Sequence, residues 1–425
     1  MGGAADRSGV GLTPRHTGSG PWAYAAAVPR LADVIAALDR AYDPSWAADW
    51  DAVGLVCGDP DATVEKIVFA VDPVQATVDE ALGLGADLLV THHPLLLAGV
   101  HGVPATEPKG RLVHRLITGG CALFVAHTNA DVAAPGVSDA LARAIGLHDL
   151  RPLVPDPTEQ WDKIVVFVPS GAAEALVDAM AAAGAGAFGA YDRCAWSTTG
   201  AGTFRPGPGA HPSVGAVGSV ERVPETRVEM VLPHDRQRAV IAALRATHTY
   251  EEPGFDLYRL DRSVESTRGS GRVGRLAEPM RLDDLVRRVA AVLPATAGGV
   301  RATGSPDAVV TTVAVCGGAG GGYAERARAA GADAYVTADL KHHVVSETAE
   351  GSAGEPALER PLAMIDVAHW ASEWPWLAAA AGRLRADLTT GGTTVDVRVS
   401  SLVTDPWTQS SASQTQHVEP DGSRS

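Results

Sequence analysis

The sequence predicts an α/β protein whose core comes in two parts, separated by an inserted α+β domain of ferredoxin-like plan. Three observations carry this. Continuous apolar runs alternate with helix-like segments in both halves of the chain, as strands covered on both faces require. Between those halves, two segments repeat a single plan of strand, proline and helix. The 425 residues also exceed what one hydrophobic core organises, so roughly two to three domains are expected.

The elements follow in order. A helix-like stretch, LADVIAALDRAY, precedes the strand KIVFAVD (66–72), the helix-like VQATVDEALGLG and the strand DLLVTHHP (87–94). GRLVHRLITGG reads as a helix and leads into the strand ALFVAHT (122–128). The repeated plan is KIVVFVPSGAAEALVDAMAAAG (163–184) and RVEMVLPHDRQRAVIAALRATH (227–248), two halves of a βαββαβ unit closed by FDLYRL (255–260). The segment TTGAGTFRPGPGAHPSVGAVG between them reads as a Gly/Pro-rich loop. After the turn-rich STRGSGRVG the α/β pattern resumes with VVTTVAVCGG, YAERARAAG, DAYVTAD and LAMIDVAHW (362–370). The helix WLAAAAGRLRADL and the alternating strand TVDVRVSSL (394–402) complete the core. The expected division is a tail at 1–23, the core's N-terminal part at 24–157, the insert at 158–262, the core's C-terminal part at 263–404 and a tail at 405–425.

Composition excludes several classes of partner. The formal net charge is −15 and no Lys/Arg cluster interrupts it, which argues against nucleic acid as the main partner. No segment approaches the ~18 apolar residues of a membrane span, and the N-terminal segment lacks the apolar core of a signal peptide. Cys57, Cys121, Cys194 and Cys316 lie far apart with no CxxC, as in a reduced, cytoplasmic protein.

Chemistry-bearing residues gather just past apolar strands. His92 and His93 end one strand before Pro94. Successive strand side chains point to opposite faces, so the two suit one site only where the chain turns away, each then serving a different ion. His127 and Asp131 follow a second strand, the one as ligand or supporting partner and the other as a hard carboxylate ligand; a turn made by Asn129 and Asp131 before the helix SDALARAIG is the plainer account. His369 and Glu373 follow a third strand at a spacing that puts both on one face of a helical turn, although Ser372 and Glu373 could equally cap a helix that Pro375 helps begin. Imidazole nitrogens with a carboxylate suit Zn, Fe, Mn or Co better than Ca or Mg. Asp339 and His343 follow a fourth strand, as site-facing groups or as solvated groups at a helix start. The glycines from Gly317 to Gly322 do not complete a GxGxxG, since Tyr323 stands at its last position, and no Gly-Lys-Ser/Thr follows. They fit a loop that lets backbone approach a site closely.

Taken in order, AADWDAVGLVCGD, DLLVTHHPLLL, AHTNADVAAPGVSDALA, VAVCGGAGGG, DAYVTADLKHH and IDVAHWASE resemble the NIF-three-like dinuclear metal-centre family, whose members include GTP cyclohydrolase 1 type 2 homologues. The resemblance covers nearly all of residues 30–404. It implies two divalent metal ions per subunit, held by His92, His93, Asp131, His369 and a bridging Glu373, with assembly as a homohexamer. The insert is similar to the PII-like or copper-tolerance-like module of longer members. Ala52 stands where the family has Asn, Ala338 and Ala368 where it has Gly, and Thr249 where it has Pro. Two functions are compatible with this. One is a metal-dependent hydrolase of a nucleotide or related small molecule, with His127, Asp339 or His343 moving protons; the other is a metal-binding regulatory or scaffold protein with a ligand-sensing insert.

Overall fold

The structure, a computed structural model, describes Met1 and residues 28–156, 160–260, 266–350 and 362–411. The expected tail residues 2–23 and 412–425 lie outside them, whereas 405–411, also expected in a tail, are described and contribute to the site below. The strands are β1 (Gly54–Cys57), β2 (Lys66–Ala70), β3 (Leu88–Thr91), β4 (Ala122–Val125), β5 (Leu147–Pro155), β6 (Trp161–Pro169), β7 (Ala195–Phe204), β8 (Glu221–Pro233), β9 (Gly254–Leu260), β10 (Gly269–Arg281), β11 (Arg301–Ala302), β12 (Val309–Val315), β13 (Ala334–Ala338), β14 (Ala363–Val367) and β15 (Asp396–Val399).

Two compact units result, one formed by Met1–His148 with Arg275–Ser425, the other by Asp149–Gly274. The span 158–262 lies inside the second unit, whose ends are carried on the long strands β5 and β10 rather than on linkers. The first unit contains a five-stranded sheet, β1-β4-β3-β2-β15. In it β15, β2, β3 and β4 run parallel, and β1 is antiparallel to β4. A second sheet runs β11-β14-β13-β12 and continues into β10 and β5; β12, β13 and β14 are parallel. The apolar runs predicted parallel strands because both faces are covered, and β3, β4 and β13 are buried along their whole length.

The helix His369–Thr390 leaves β14 of one sheet and returns to β15 of the other, so it ties the two halves of the core together. Pro375 sits inside this helix rather than at its start, because the helix already begins at His369. Trp376 is 1% exposed, packs edge-on to Phe69 of β2, and donates its indole N–H to the Tyr42 hydroxyl at 3.1 Å.

In the second unit the element order is β6, helix Ala173–Ala182, β7, β8, helix Gln237–Thr247, β9, and the sheet order is β7-β8-β6-β9. Ile164, Val166, Val168, Val228, Met230 and Leu232 alternate along β6 and β8 and bury one sheet face against Leu176, Met180, Val240 and Leu244. The segment Thr198–Phe204, expected within a loop, belongs to β7, which pairs antiparallel with β8 from Ala195↔Met230 to Phe204↔Glu221. Pairing with a long neighbour overrides the low strand preference of its glycines.

Replacing Trp376 with Ala removes the largest side chain shared by the interlocking helix and β2. We expect a loss of about 3–5 kcal/mol in the first unit's stability, read from urea unfolding, with the second unit's transition unchanged.

Candidate metal centre

Parallel strands end together, and the first unit uses this. β3 stops at Thr91, yet the His92 and His93 N–H groups still bond to the carbonyls of Ala70, the last residue of β2, and of Val71 just after it. Past the strand end the two adjacent rings no longer diverge; their centroids lie 5.1 Å apart. His127 precedes the short helix Thr128–Val132 that carries Asp131, just beyond β4. From the other sheet, His369 opens its helix one residue after Ala368, with Glu373 one turn on. Three separate segments thus converge.

What aims the imidazoles is visible at their far sides. His93 Nδ1 lies 2.7 Å from Asp72 Oδ1, His127 Nδ1 2.8 Å from Asp51 Oδ1, and His369 Nδ1 2.7 Å from Asp339 Oδ2. His92 Nδ1 lies 2.9 Å from the Ala126 carbonyl. An oxygen acceptor at Nδ1 holds the proton there and leaves Nε2 as the lone-pair side, as carboxylates behind metal-binding histidines do. The Nε2 atoms meet Glu373, which is 3% exposed: His369 Nε2 is 3.0 Å from Oε1, His93 Nε2 is 3.1 Å from Oε2, and His92 Nε2 is 3.5 Å from Oε1. Asp131 Oδ1 is 3.7 Å from His92 Nε2.

This donor set fits a cation. His92 Nε2, Asp131 Oδ1 and Glu373 Oε2 are buried without a hydrogen-bond partner among the described residues, a costly condition that an ion at their centre relieves. His92, His93 and His127 bring ligand atoms within 4.8 Å of one another, and so do His93, His369 and Glu373. Of the proton-moving candidates, Asp339 is engaged with His369 and His127 faces the centre. His343 is exposed, meets His342 edge-on and does not line the cleft.

The charges report the same strain. Burial disfavours a charged His93 ring, but Glu373 and Asp72 outweigh burial and push it up to about 10. Burial and then Glu373 and Asp339 act likewise on His369, up to about 9. Burial raises Asp131 to about 6. Burial opposes the Glu373 carboxylate, yet the charges of His92 and His93 hold its pKa well below the usual range. His127 goes the other way: burial and the charge of His92 lower its pKa, so it stays neutral.

The glycine-rich loop after β12 completes the site. Gly318 has φ +67°, and a Cβ there would stand 2.6 Å from Glu373 Oε1 and 3.3 Å from His369 Nε2. Its N–H donates to Ser372 Oγ at 2.8 Å, and that hydroxyl donates to the His369 carbonyl at 2.7 Å. The loop therefore grips the turn that bears His369 and Glu373.

A family model described as Duf34/NIF3 (NGG1p interacting factor 3) matches residues 29–406. The chain belongs to the Duf34/NIF3 family. It is 51% identical over 379 residues to a Mycobacterium tuberculosis protein named "GTP cyclohydrolase 1 type 2 homolog", covering 89% of this chain and 96% of that one. A Streptomyces coelicolor protein of the same name is 40% identical over 386 residues, covering 91% and 96%. Among solved structures, a Bacillus cereus protein related to NIF3 is similar at TM-score 0.61 and 34% identity, covering 90% of this chain and 99% of that one. A Staphylococcus aureus protein is similar at TM-score 0.69 and 26% identity, with 89% and 98% covered.

In this Duf34/NIF3 chain the centre lies in the wall of a cleft of about 990 Å³. Residues that sequence reasoning passed over shape it. Asp51 and Asp72 orient two imidazoles, and each carried a readable signal: Asp72 ends an apolar strand, and Asp51 stands within the quoted WDA segment. Trp50, from the same WDA segment, also lines the cleft with Lys109, Arg301 and Trp407, and nothing in the local sequence marks the last three. Thr404 bonds Asp72, and this anchors the segment that places Trp407.

Two expectations follow. Loading the metal-free protein with a divalent ion at pH 7.5 should release protons, because His93 and His369 with pKa values about 10 and 9 are protonated there and must be neutral to ligate. Affinity should accordingly fall as pH drops; calorimetry in buffers of different ionisation enthalpy counts the protons. Asp339→Asn and Gly318→Ala should each weaken metal affinity by about 10–100-fold without unfolding the chain, measured by chelator competition.

Proposed function

We propose that the protein is a dinuclear-metal hydrolase acting on a nucleotide or a related small molecule that joins a planar ring to an anionic group. The observation that carries this reading is the convergence of His92, His93, His369, Glu373 and Asp131 around buried unpartnered donor atoms in the wall of a large cleft. Imidazole and carboxylate donors suit Zn, Fe, Mn or Co. His92, His93, Asp131, His369 and Glu373 would hold the ions, through the imidazole nitrogens and carboxylate oxygens that converge there. When bound, such ions supply Lewis acidity and make water acidic near neutrality.

The chain's own groups then have distinct tasks. His127, neutral and held by Asp51 at Nδ1, is suited to take a proton at Nε2. Lys109 and Arg301 would meet an anionic group, with Arg301 steadied by Asp366 at 2.6 Å. Trp50 and Trp407, 62% and 74% exposed on the cleft's rim, offer flat faces for a planar ring. The relatives' name makes GTP the first substrate to try. Homohexameric assembly belongs to this reading on the family resemblance alone, and the mass of the native particle tests it.

Metal-loaded protein screened against nucleotides should show turnover. Glu373→Ala should abolish both metal retention and turnover, and His127→Gln should retain metal while lowering kcat by about 100-fold or more. Wild-type turnover in Glu373→Ala, or native protein free of transition metal, overturns the hydrolase. Bound metal with no turnover across the panel favours a non-catalytic regulatory or scaffold protein.

A further inference from the structure

The second unit has a cavity of its own, about 510 Å³, beside the segment that follows β7 and the loop between the helix Gln237–Thr247 and β9. Its chemistry is unlike that of the metal cleft. Phe204 and Tyr250 form a V of two rings, centroids 5.7 Å apart and planes at 56°. Three carboxylates, Glu225, Glu251 and Glu252, and one guanidinium, Arg205, are in its lining. Glu225 is fixed: its Oε1 accepts the Tyr250 hydroxyl at 3.0 Å. Gly202 on the neighbouring strand makes room for it, since a Cβ there would stand 2.0 Å from Glu225 Oε2. Glu251 ties the opposite rim by accepting the His211 N–H at 2.9 Å.

The cavity is therefore negative and aromatic. The carboxylates do not gather tightly enough to make a metal group; among the described residues such groups form only in the first unit. Spread negative charge beside ring faces favours a large, weakly hydrated cation over a small hard one. We propose that this cavity binds an organic ammonium ion carried on an apolar or aromatic body, its charge met by Glu225 and its neighbours and its body packed against the paired rings of Phe204 and Tyr250. The site is separate from the metal centre and does not depend on the hydrolase reading.

The test uses the full chain with phenethylammonium as probe and phenylacetate as its anionic counterpart, followed by saturation-transfer NMR and calorimetry at pH 7.5. Phenethylammonium should bind at least about tenfold more tightly than phenylacetate, and Glu225→Gln, which keeps an acceptor for Tyr250, should weaken it by about tenfold. Gly202→Ala should weaken it too, while Glu373→Ala in the first unit should leave it unchanged. Equal binding of the two probes, no saturation transfer from the protein to phenethylammonium, or unchanged affinity in both Glu225→Gln and Glu252→Gln overturns the proposal.

Discussion

Burying an ionised carboxylate costs far more than a folded domain can bear unless positive charge or a metal compensates it, and Glu373 sits at that limit. Its side chain is 3% exposed, and three imidazole Nε2 atoms approach it within 3.5 Å. Much of the first unit's architecture serves to bring those nitrogens there. Each histidine is turned by an oxygen acceptor at Nδ1, and those acceptors stand at strand ends or just beyond them: Asp72 after β2, Ala126 after β4, Asp339 after β13. A shift in register of any of these strands would turn a lone pair away from Glu373.

The same constraint accounts for the backbone around it. Gly318 is required because any side chain there would collide with Glu373 and His369, and the loop's N–H and the Ser372 hydroxyl lock the helix turn that carries both. Asp339 adopts a left-handed φ of 54°, unusual for a residue with a side chain, at the position where its carboxylate meets His369. Trp376 then closes the site from beneath, packing on His92 at 5.3 Å between ring centroids as well as on Phe69. Stability and ligand geometry thus share residues, so the core cannot relax without moving the centre.

The second unit solves a different problem. It buries its own hydrophobic core, so its folding needs nothing from Glu373. Its sheet leaves β7 as an edge, with Trp196 exposed. The glycines of that edge read as a loop in the sequence because their preference is local. The pairing with β8 that makes them a strand is set by a neighbour some 25 residues on.

How much could be read without coordinates follows from the range of each signal. Period and apolar runs are local, so the α/β character with its parallel strands, the repeated plan of the insert and the strand ends at which His92, His93, Asp131, His369 and Glu373 stand are legible from residue order alone. Local signals could not separate a ligand from a capping group at Glu373, nor decide whether adjacent histidines share a site. The tertiary structure brings these side chains together, because convergence depends on two sheets ending at one place and on Asp51, Asp72 and Asp339 turning the rings. It also drew Trp407, from a stretch read as tail, into the cleft's lining, and left His343 outside it. The contacts of Glu373 with His92 and His93 and of Thr404 with Asp72 join residues hundreds apart in the chain, and no window of sequence contains both partners.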